Sequence, residues 1–542
     1  MSRPYPTLAA VLASRAGDER PALLRADGHW TWGEVTREAG RRASWMRRTV
    51  PPQEGRDARH VGLLMDNDPE YVFWLGAVAM AGDVAVALNT TRSPEQLAAD
   101  IAHTDVDVVI ASERHVANLP ASGATAAVFS TGAAPWREHD AVFLEPAPAG
   151  DDLFVMLFTS GSTGRPKAVL HSHGRLLARG RRLMDEVDID ESSTVYLPMP
   201  LFHAGTLIGL LLPAVLAGAR IALRPKFSGS RFAEDVRRFG ATHTTFVGKT
   251  LKYVLESAPE PPEGSPLRVA VGNGASQQDI DEFARRFGCR VIDVYGSTEG
   301  AISLRRTPDT PPGSLGLPQS GDVRVLDPAT GRELPRVPAD ASMSSIMEGV
   351  GDMVRVDGTG HFEGYWRNDE AQAERVRDGC YWSGDLAWRD EQGFFYFAGR
   401  AGEKVRVDGE NLSPHRVQEQ VERHPRVRDC LAFGVPEPGA DDALMVVVTL
   451  TGTGEFDPDQ VFESLNEQGL LSRKEIPRFL RVTDAIPSTA TNKPLTGVVR
   501  GERWGTDDPV WWRPTGRDTF RLMKKEDKEM IDLRLAAERR VL

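Results

Sequence analysis

The chain has 542 residues, a formal net charge of -12, 41% hydrophobic residues and 26% charged residues. A chain of this length is expected to form two or more domains with a sizeable hydrophobic core. No uninterrupted apolar run reaches the length of a membrane-spanning helix, and the acidic balance argues against a broad nucleic-acid footprint. We therefore expect a globular protein with no stable membrane insertion and no nucleic-acid partner.

The first residues, MSRPYPTLAAVLASRAGDERP, break into charge too early for a secretory leader, so we expect a cytoplasmic protein. The three cysteines are widely spaced, at Cys289, Cys380 and Cys430. They are too few and too far apart for a disulfide framework or a zinc cluster. We expect them to behave as small buried apolar residues.

Short apolar runs rich in Val, Ile and Leu alternate along the chain with helical patterns. The runs ARHVGLLMDN, DVDVVIAS, DDLFVMLFTS, PLRVAVGNG and CRVIDVYGS predict buried strands. The stretches PEYVFWLGAVAMAG and QQDIDEFARRFG predict helices between them. This alternation indicates an α/β fold with mostly parallel strands.

The pattern changes from Gly384 onward. GDLAWRDEQGFFYFAGRAGEKVRVDG alternates like small antiparallel strands, with Gly393 and Gly402 as candidate turns. We predict a large α/β N-terminal domain of several sheets with layered helices over residues 1–400, and a smaller, mobile α+β domain over residues 401–542. The last stretch, KKEDKEMIDLRLAAERRVL, predicts a solvated helix.

The run FTSGSTGRPKAV, from Phe158 to Val169, follows one of the predicted strands. Consecutive Gly, Ser and Thr let backbone N–H groups and hydroxyls converge on phosphate oxygens, and a nearby lysine adds a positive charge. The run is not a Walker P-loop, because Arg165 and Pro166 separate Gly164 from Lys167. Taken alone, it predicts either an oxyanion cradle of another nucleotide enzyme or a surface loop.

Further motifs follow in chain order: PLFHAG, GNG, DVYGSTEG, YWSGDLAWRDEQGFFYFAGR, GEN and PSTATNK. Together with the first run they resemble the adenylate-forming superfamily of acyl-CoA synthetases, peptide-synthetase adenylation domains and luciferases. The resemblance extends from about residue 20 to about residue 500. It implies a ligase that uses ATP and Mg²⁺, with CoA as the expected thiol acceptor.

A finer resemblance is to the very-long-chain acyl-CoA synthetase and fatty-acid transport protein branch. It rests on VALNTTR, RVAVGNG, EGYWRNDEAQAERV, GRAGEKVRVDGEN and VPEPGADDA. Its most specific element is the pattern R-x-G-[DE]-x-x-R-x-x-G-E-N from Arg400 to Asn411. The chain does not show the membrane-anchoring N-terminus of that branch, so we expect no transport role.

The resemblance implies which residues bind ATP. The β- and γ-phosphates are assigned to Thr159, Ser160, Gly161, Ser162, Thr163, Gly164 and Lys167. The walls and edge of the adenine pocket are assigned to Gly272, Asn273, Gly274, Ala275, Asp293, Val294, Tyr295, Gly296 and Ser297, and the ribose to Asp385 and Arg400. Asp293 stands where many relatives carry Asn. Lys167 taken alone is equally consistent with a solvated cation in a loop.

The resemblance also implies the catalytic residues. Thr298 and Glu299 lie beside the triphosphate, and Glu299 and Thr159 are the expected Mg²⁺ ligands. Lys493 reaches the α-phosphate and the substrate carboxylate, where negative charge concentrates in the transition state. His203 gates between the acyl pocket and the incoming thiol. The alternatives are a helix cap for Glu299, a solvated loop position for Lys493 and plain packing for His203.

A second half-reaction implies a hinge between the domains, for which Gly402 is the candidate; a hairpin glycine is the alternative. The acyl pocket is expected along Ala204–Ala219, Thr244–Glu256 and Ala301–Ser303. Its apolar lining fits a hydrophobic tail, and helix packing is the alternative role for Gly205, Gly209 and Gly218. Lys249 either pairs with a second anionic group of the substrate or is solvated at a helix start.

The predicted function is ATP-dependent activation of a carboxylic acid to an acyl adenylate with release of pyrophosphate, followed by thioester transfer to CoA. The alternative keeps the adenylation and changes the acceptor to a carrier-protein thiol, an amine, or nitrite activated for transfer to an aryl amine. A non-catalytic nucleotide-binding protein is disfavoured, because Glu299, Asp385, Arg400 and Lys493 are all present. Whether the protein is a homodimer stays open.

Overall fold

The structure is a computed structural model, and the chain divides into two compact units. The structure describes residues 5–25, 28–119, 126–141, 147–159, 167–257, 264–307, 309–338, 340–341, 343–400, 405–407, 410–412, 414–438, 442–452, 454–488, 494–514 and 517–537. For residues 343, 344, 400, 406, 407, 410 and 411 it describes the backbone alone. One unit comprises residues 1–323 and 354–382, and the other residues 324–353 and 383–542. The domain boundary at residue 400 stays a prediction.

The strands and helices follow one another along both units. The strands are β1 (Pro21–Arg25), β2 (Gly28–Thr31), β3 (His60–Leu64), β4 (Val84–Ala87), β5 (Val108–Ala111), β6 (Ala127–Ser130), β7 (Leu153–Thr159), β8 (Lys167–Ser172), β9 (Thr194–Leu197), β10 (Arg220–Leu223), β11 (His243–Val247), β12 (Val269–Asn273), β13 (Arg290–Gly296), β14 (Ser303–Arg305), β15 (Leu317–Pro318), β16 (Val323–Leu326), β17 (Gly351–Arg355), β18 (Val376–Arg377), β19 (Cys380–Arg389), β20 (Phe395–Arg400), β21 (Val405–Val407), β22 (Glu410–Leu412), β23 (Val427–Pro436), β24 (Asp442–Leu450), β25 (Phe479–Val482), β26 (Val510–Trp512) and β27 (Arg521–Leu522). The helices are α1 (Leu8–Ala13), α2 (Trp32–Thr49), α3 (Pro69–Ala81), α4 (Pro94–His103), α5 (Glu113–Val116), α6 (His173–Glu186), α7 (Ala204–Thr206), α8 (Leu212–Ala217), α9 (Gly229–Phe239), α10 (Thr250–Ser257), α11 (Gln277–Phe287), α12 (Met343–Glu348), α13 (Asp369–Arg375), α14 (Pro414–Val421), α15 (Pro458–Glu467), α16 (Thr496–Glu502) and α17 (Lys525–Ala537). Short 3₁₀ turns occupy Pro135–Glu138 and Arg473–Glu475.

Two sheets form the centre of the first unit. The six-stranded sheet has the order β6-β5-β3-β4-β7-β8, and the nine-stranded sheet has the order β15-β14-β13-β12-β11-β9-β10-β1-β2. In the first, only the β7–β8 pair is antiparallel. In the second, antiparallel pairs occur only at the two edges. The predicted α/β fold with mostly parallel, buried strands is confirmed.

Local sequence explains where the two predicted helices begin and end. Asp68 caps α3 through a hydrogen bond from the Glu70 N–H, and Gly82 ends it in the left-handed conformation. Ser276 caps α11 in the same way, and Gly288 ends it with a φ of 62°. Both predicted helices are confirmed.

The helix predicted over Ala204–Ala219 contains a segment that the sequence analysis missed. The five residues Leu207–Leu211 are π-helical, and they lie between α7 and α8. The N–H of Leu212 donates to the carbonyl of Leu207, five residues earlier. Pro213 follows and has no N–H to donate, so the regular α-helical ladder is already interrupted there.

The second unit contains a five-stranded sheet with the order β23-β24-β25-β26-β27, in which β24 and β25 are parallel. Successive residues of β23 and β24 belong alternately to two buried clusters, as strand geometry requires. The first cluster includes Val417 of α14 and Phe462 of α15, and the second includes Val499 of α16 and Ile531 of α17. The sheet is therefore covered by helices on both faces.

The predicted antiparallel segment after Gly384 is also confirmed. β19 pairs with β20 in antiparallel register, and Gly393 lies in the connecting turn with a φ of 95°. Gly402, the other candidate turn, lies outside the described residues. The predicted C-terminal helix is α17. Among the described residues, no helix is both long and apolar enough to cross a membrane.

Candidate active site

Two residues of the glycine-rich run, Thr159 and Lys167, lie on paired strands. Thr159, the last residue of β7, lies directly opposite Lys167, the first residue of β8. The predicted phosphate-binding residues between them, Ser160, Gly161, Ser162, Thr163 and Gly164, lie outside the described residues. The hairpin therefore brings Thr159 and Lys167 together at one sheet edge, and the roles of the intervening residues stay predictions.

Lys167 is buried, with 6% of its surface exposed. Its Nζ lies 3.1 Å from Oε2 of Glu374 and 5.5 Å from the centre of the Tyr365 ring. The alternative of a solvated loop cation is therefore wrong. A buried ammonium that is held by one carboxylate and one ring face can exchange that carboxylate for a phosphate oxygen.

Glu299 lies in the turn between β13 and β14 and is also buried. The turn closes through a 3.1 Å hydrogen bond from the Gly300 N–H to the Ser297 carbonyl, and Gly300 has a φ of 68°. The Tyr365 hydroxyl donates to Oε1 of Glu299 over 2.8 Å. The next element is strand β14, so the alternative of a helix cap for Glu299 is wrong.

Arginines and a second tyrosine surround this turn. Nη1 of Arg179 lies 3.4 Å from the Thr298 carbonyl, and burial together with Arg182 lowers the pKa of Arg179 to about 10. Burial opposes the charge of Arg375, but Tyr381, Tyr365 and Glu299 stabilise it and raise its pKa above the ordinary value.

Both tyrosines stay protonated over a wide pH range. Burial, followed by the charge of Glu299, raises the pKa of Tyr365 and of Tyr381 above the usual value. Arg375, followed by Ser297, opposes this rise in the pKa of Tyr381. The structure thus brings Thr159, Lys167 and the predicted residues of the β13–β14 turn into one connected neighbourhood.

The predicted adenine wall lies on two adjacent parallel strands. Gly272 in β12 lies opposite Asp293 in β13, and Asn273, Gly274 and Ala275 follow at the same end of the sheet. A Cβ on Gly272 would stand 2.1 Å from the Phe246 carbonyl oxygen, so only glycine fits there. Ligands of α/β sheets bind at the carboxyl ends of parallel strands, which is where these residues lie.

Asp293 connects two parts of the predicted adenine wall. Its Oδ1 accepts from the Gly274 N–H over 3.1 Å, and its Oδ2 lies 3.4 Å from Nη1 of Arg306. Burial raises the pKa of Asp293, and Arg306 and the Gly274 N–H oppose that shift. Among the remaining predicted residues of the wall, Val294, Tyr295 and Gly296 are the last residues of β13, and Ser297 begins the Glu299 turn.

The predicted acyl-pocket residues lie on the helical segment after β9 and around β11. The backbone carbonyl of His203 accepts hydrogen bonds from the N–H groups of Thr206 and Leu207. The centre of the His203 ring lies 4.5 Å from the centre of the Phe202 ring. Lys249 lies between β11 and α10. A Cβ on Gly205 or on Gly209 would meet no described atom within 4 Å, so both glycines border open space.

The second unit carries the predicted ribose residues. Asp385 in β19 lies opposite Arg400 in β20, so the two share one hairpin. The Ser383 hydroxyl accepts from the Asp385 N–H over 3.1 Å and lies 3.2 Å from Oδ1 of Asp352. Lys493 lies outside the described residues, so its predicted role is not addressed by the geometry.

The sequence analysis missed the residues that connect the predicted ones. Tyr365 lies in the stretch EGYWRNDEAQAERV, which entered only as part of a resemblance. Glu374, the partner of Lys167, lies in the same stretch, 207 residues along the chain from that lysine. The available signal was the aromatic pair in that motif, which carried no assigned role.

The residues at the turn fit a nucleotide-borne Mg²⁺. Among the described residues, no group of three or more His, Cys, Asp or Glu side chains is placed to hold a metal ion by itself. Mg²⁺ commonly takes one or two protein carboxylates and completes its shell with phosphate oxygens and water. Glu299, which contacts the same tyrosine as Lys167, is a donor of that kind.

The chain is similar to proteins of known activity along nearly its whole length. It is 38% identical to steroid-22-oyl-CoA synthetase of Rhodococcus jostii, over 97% of this chain and 96% of that protein. It is 36% identical to the medium/long-chain-fatty-acid–CoA ligase FadD17 of Mycobacterium tuberculosis, over 94% of this chain and 99% of that protein.

Solved structures show the same fold. ATP-bound MatB of Rhodopseudomonas palustris matches with a TM-score of 0.80 and 24% identity, over 91% of this chain and 98% of that chain. MenE of Bacillus subtilis in complex with AMP matches with a TM-score of 0.75 and 22% identity, over 90% of this chain and 97% of that chain. Residues 11–366 match the family model described as AMP-binding enzyme. The chain therefore belongs to the family of AMP-binding enzymes.

Proposed function

We propose that this protein is an ATP-dependent acid–CoA ligase. In the first half-reaction a carboxylate oxygen attacks the α-phosphorus of ATP, and pyrophosphate leaves as the acyl adenylate forms. In the second, the CoA thiol attacks the acyl carbonyl carbon, and AMP leaves as the thioester forms. Family membership and near full-length similarity to two CoA ligases support this function, for which ATP, Mg²⁺ and CoA are the cofactors.

The observation that carries the proposal is the contact between Lys167, Tyr365 and Glu299. Attack at a phosphate needs little covalent help from the protein, so the catalyst must position charges and neutralise them. A buried ammonium and a buried carboxylate that share one tyrosine provide a cation for phosphate oxygens and a ligand for their Mg²⁺. Mg²⁺, when bound, neutralises charge on those oxygens.

We assign the other residues the roles that their motifs imply. Thr159 contributes a hydroxyl beside Lys167, and the residues between them supply N–H groups to the β- and γ-phosphates. Asp385 and Arg400 hold the ribose hydroxyls. Lys493 provides the cation for the reacting carboxylate and the α-phosphate, where negative charge concentrates as the bond forms. We assign His203 and a hinge at Gly402 to the thioester step.

We propose an apolar acyl group with a bulky cross-section. The open space beside Gly205 and Gly209 supports a wide acyl group, because a larger side chain at either position would occupy that space. One relative is named for a steroid-22-oyl group and another for medium- and long-chain fatty acids. Membership of the very-long-chain synthetase and fatty-acid transport branch stays a prediction from motifs alone.

The test is a panel of acids in a pyrophosphate-release assay with Mg²⁺ and ATP, each run with and without CoA. The panel contains a steroid side-chain carboxylate, medium- and long-chain fatty acids, an aryl acid, and nitrite with an aryl amine. We expect pyrophosphate release with apolar acids, and AMP and thioester formation only when CoA is present. Turnover with nitrite, or with an amine in place of CoA, would favour the alternative acceptor.

A further inference from the structure

Tyr365 contacts both charged side chains that the proposed function places at the nucleotide phosphates. Its hydroxyl donates to Oε1 of Glu299 over 2.8 Å, and Nζ of Lys167 lies 5.5 Å from its ring centre. Tyr365 is 4% exposed, so water does not compete strongly for either contact.

The backbone of Tyr365 is fixed to the strand that begins at Lys167. Tyr365 forms an antiparallel bridge with Val169 of β8, flanked by main-chain hydrogen bonds of 2.8 and 3.1 Å. Its ring also packs edge-on against Phe362, with 5.0 Å between the ring centres. Because the tyrosine is held on both its backbone and its ring, its hydroxyl has a set position relative to the β7–β8 hairpin.

The direction of this hydrogen bond follows from its two partners. A carboxylate can only accept, so the Tyr365 hydroxyl donates its proton to Oε1 of Glu299. The tyrosine therefore engages Oε1 and makes no hydrogen bond to Oε2, the second oxygen of the same carboxylate.

We propose that Tyr365 is a positioning residue of the adenylation half-reaction, which holds the metal-binding carboxylate of Glu299 and the phosphate-binding ammonium of Lys167 at one spacing. The inference rests on the proposed function. Tyr365 touches neither nucleotide nor metal in this role; it acts through the two side chains that do. Its hydroxyl holds Glu299 through a hydrogen bond, and the face of its ring contacts the ammonium of Lys167.

The two contacts predict separable effects. Tyr365→Phe removes the hydroxyl and keeps the ring, so Glu299 loses its fixed orientation while Lys167 keeps its neighbour. We expect the increase in ATP affinity that Mg²⁺ produces to fall about tenfold, which is the usual weight of a hydrogen bond to a charged group. We expect ATP affinity in the absence of Mg²⁺ to change less than about twofold, since no phosphate contact is removed.

The experiment measures ATP affinity by calorimetry, with Mg²⁺ and with EDTA, for the full-length protein and its variants. Tyr196→Phe is the matched control, because Tyr196 also donates from a buried position to a carboxylate, Asp235, over 2.7 Å. Thermal unfolding of each variant shows that affinities are compared between folded proteins. The half-saturating Mg²⁺ concentration for pyrophosphate release is the second readout.

The proposal is supported if the increase in ATP affinity that Mg²⁺ produces is lost in Tyr365→Phe and retained in Tyr196→Phe. An unchanged Mg²⁺ dependence in a folded Tyr365→Phe overturns the proposal, and so does an equal loss with and without Mg²⁺. If Tyr365→Phe does not fold, Glu299→Asp tests the same point. That variant keeps the charge and withdraws the carboxylate from the hydroxyl, and Mg²⁺ dependence like that of the wild type would contradict the proposal.

The outcome is distinguishable from failure of the proposed function. If the wild-type protein binds ATP more tightly with Mg²⁺ but activates no acid of the panel, the ligase function fails and the Tyr365 test can still be read. If the wild-type protein turns over and its ATP affinity does not respond to Mg²⁺, the positioning role fails and the ligase function stands.

Discussion

Two buried tyrosines of the first unit donate hydrogen bonds to carboxylates, and the surroundings of these bonds differ. Tyr196 reaches Asp235 of α9 over 2.7 Å, and Tyr365 reaches Glu299 over 2.8 Å. Burial, followed by the neighbouring carboxylate, raises the pKa of both phenols. As hydrogen bonds the two are almost identical.

Their locations separate them. Asp235 lies on α9, a helix that covers the sheet. Arg224 also contacts Asp235, with 2.6 Å between Nη1 of the arginine and Oδ2 of the aspartate. Glu299 lies instead in a turn at the carboxyl end of a parallel strand, in the neighbourhood of Lys167 and Thr298. The comparison teaches that a buried tyrosine–carboxylate bond does not by itself mark a site, and that its position on the sheet does.

The largest expected effect sharpens this contrast by removing each carboxylate charge in turn. Glu299→Gln should slow pyrophosphate release by about a hundredfold or more, because the charge that meets Mg²⁺ is lost while the tyrosine keeps an acceptor. Asp235→Asn should cost about 1–3 kcal/mol of unfolding free energy and leave the KM for ATP within about twofold. Steady-state kinetics and denaturant unfolding of both variants measure this. Equal kinetic losses in the two would break the comparison.

A smaller effect extends the same reasoning to two helical glycines. Gly209 and Gly501 both border open space, but only Gly209 lies on the predicted acyl pocket. Gly209→Leu should lower kcat/KM for bulky ring acids by at least about tenfold and affect small acids less, because the new side chain fills the pocket. Gly501→Leu is the control, and its profile over the acid panel should match that of the wild type. A Gly209→Leu profile equal to that of the control would remove this helix from the pocket.

The smallest effect concerns a third buried carboxylate, Asp100, which has no tyrosine partner among the described residues. Burial raises its pKa to about 6, opposed by Arg92, whose Nε lies 3.2 Å away. The folded pKa is above the unfolded value, so the folded state takes up the proton first as the pH falls. From pH 7 to about pH 4, the wild type should gain on the order of 2 kcal/mol of stability relative to Asp100→Asn. Urea unfolding at both pH values measures the gain, and parallel stabilities would contradict it.

Much of this architecture could be predicted from local sequence. The strands at β3, β5, β7, β12 and β13 follow from short Val- and Ile-rich runs, and the ends of α3 and α11 follow from their capping residues. The π-helical segment at Leu207–Leu211 could not be predicted, because proline and glycine in an apolar helix also fit a plain kink or a packing surface.

The site could be predicted in part. The motifs predicted Lys167 and Glu299, but not the residues that hold them, since Tyr365 is 66 residues from Glu299 in the chain. Such partners depend on the strand register between Val169 and Tyr365, which no local pattern encodes. Local motifs therefore point to the candidate site residues, and only the folded chain shows which residues contact them.

The placement of one tyrosine between an ammonium and a carboxylate has a thermodynamic consequence. If metal and nucleotide are coupled through Tyr365, the factor by which the metal strengthens nucleotide binding must equal the factor by which the nucleotide strengthens metal binding. Each ligand then recruits the other, and the protein responds to the metal–nucleotide complex as to a single ligand. A cell that varies free magnesium would change the rate of acid activation without any change in total ATP.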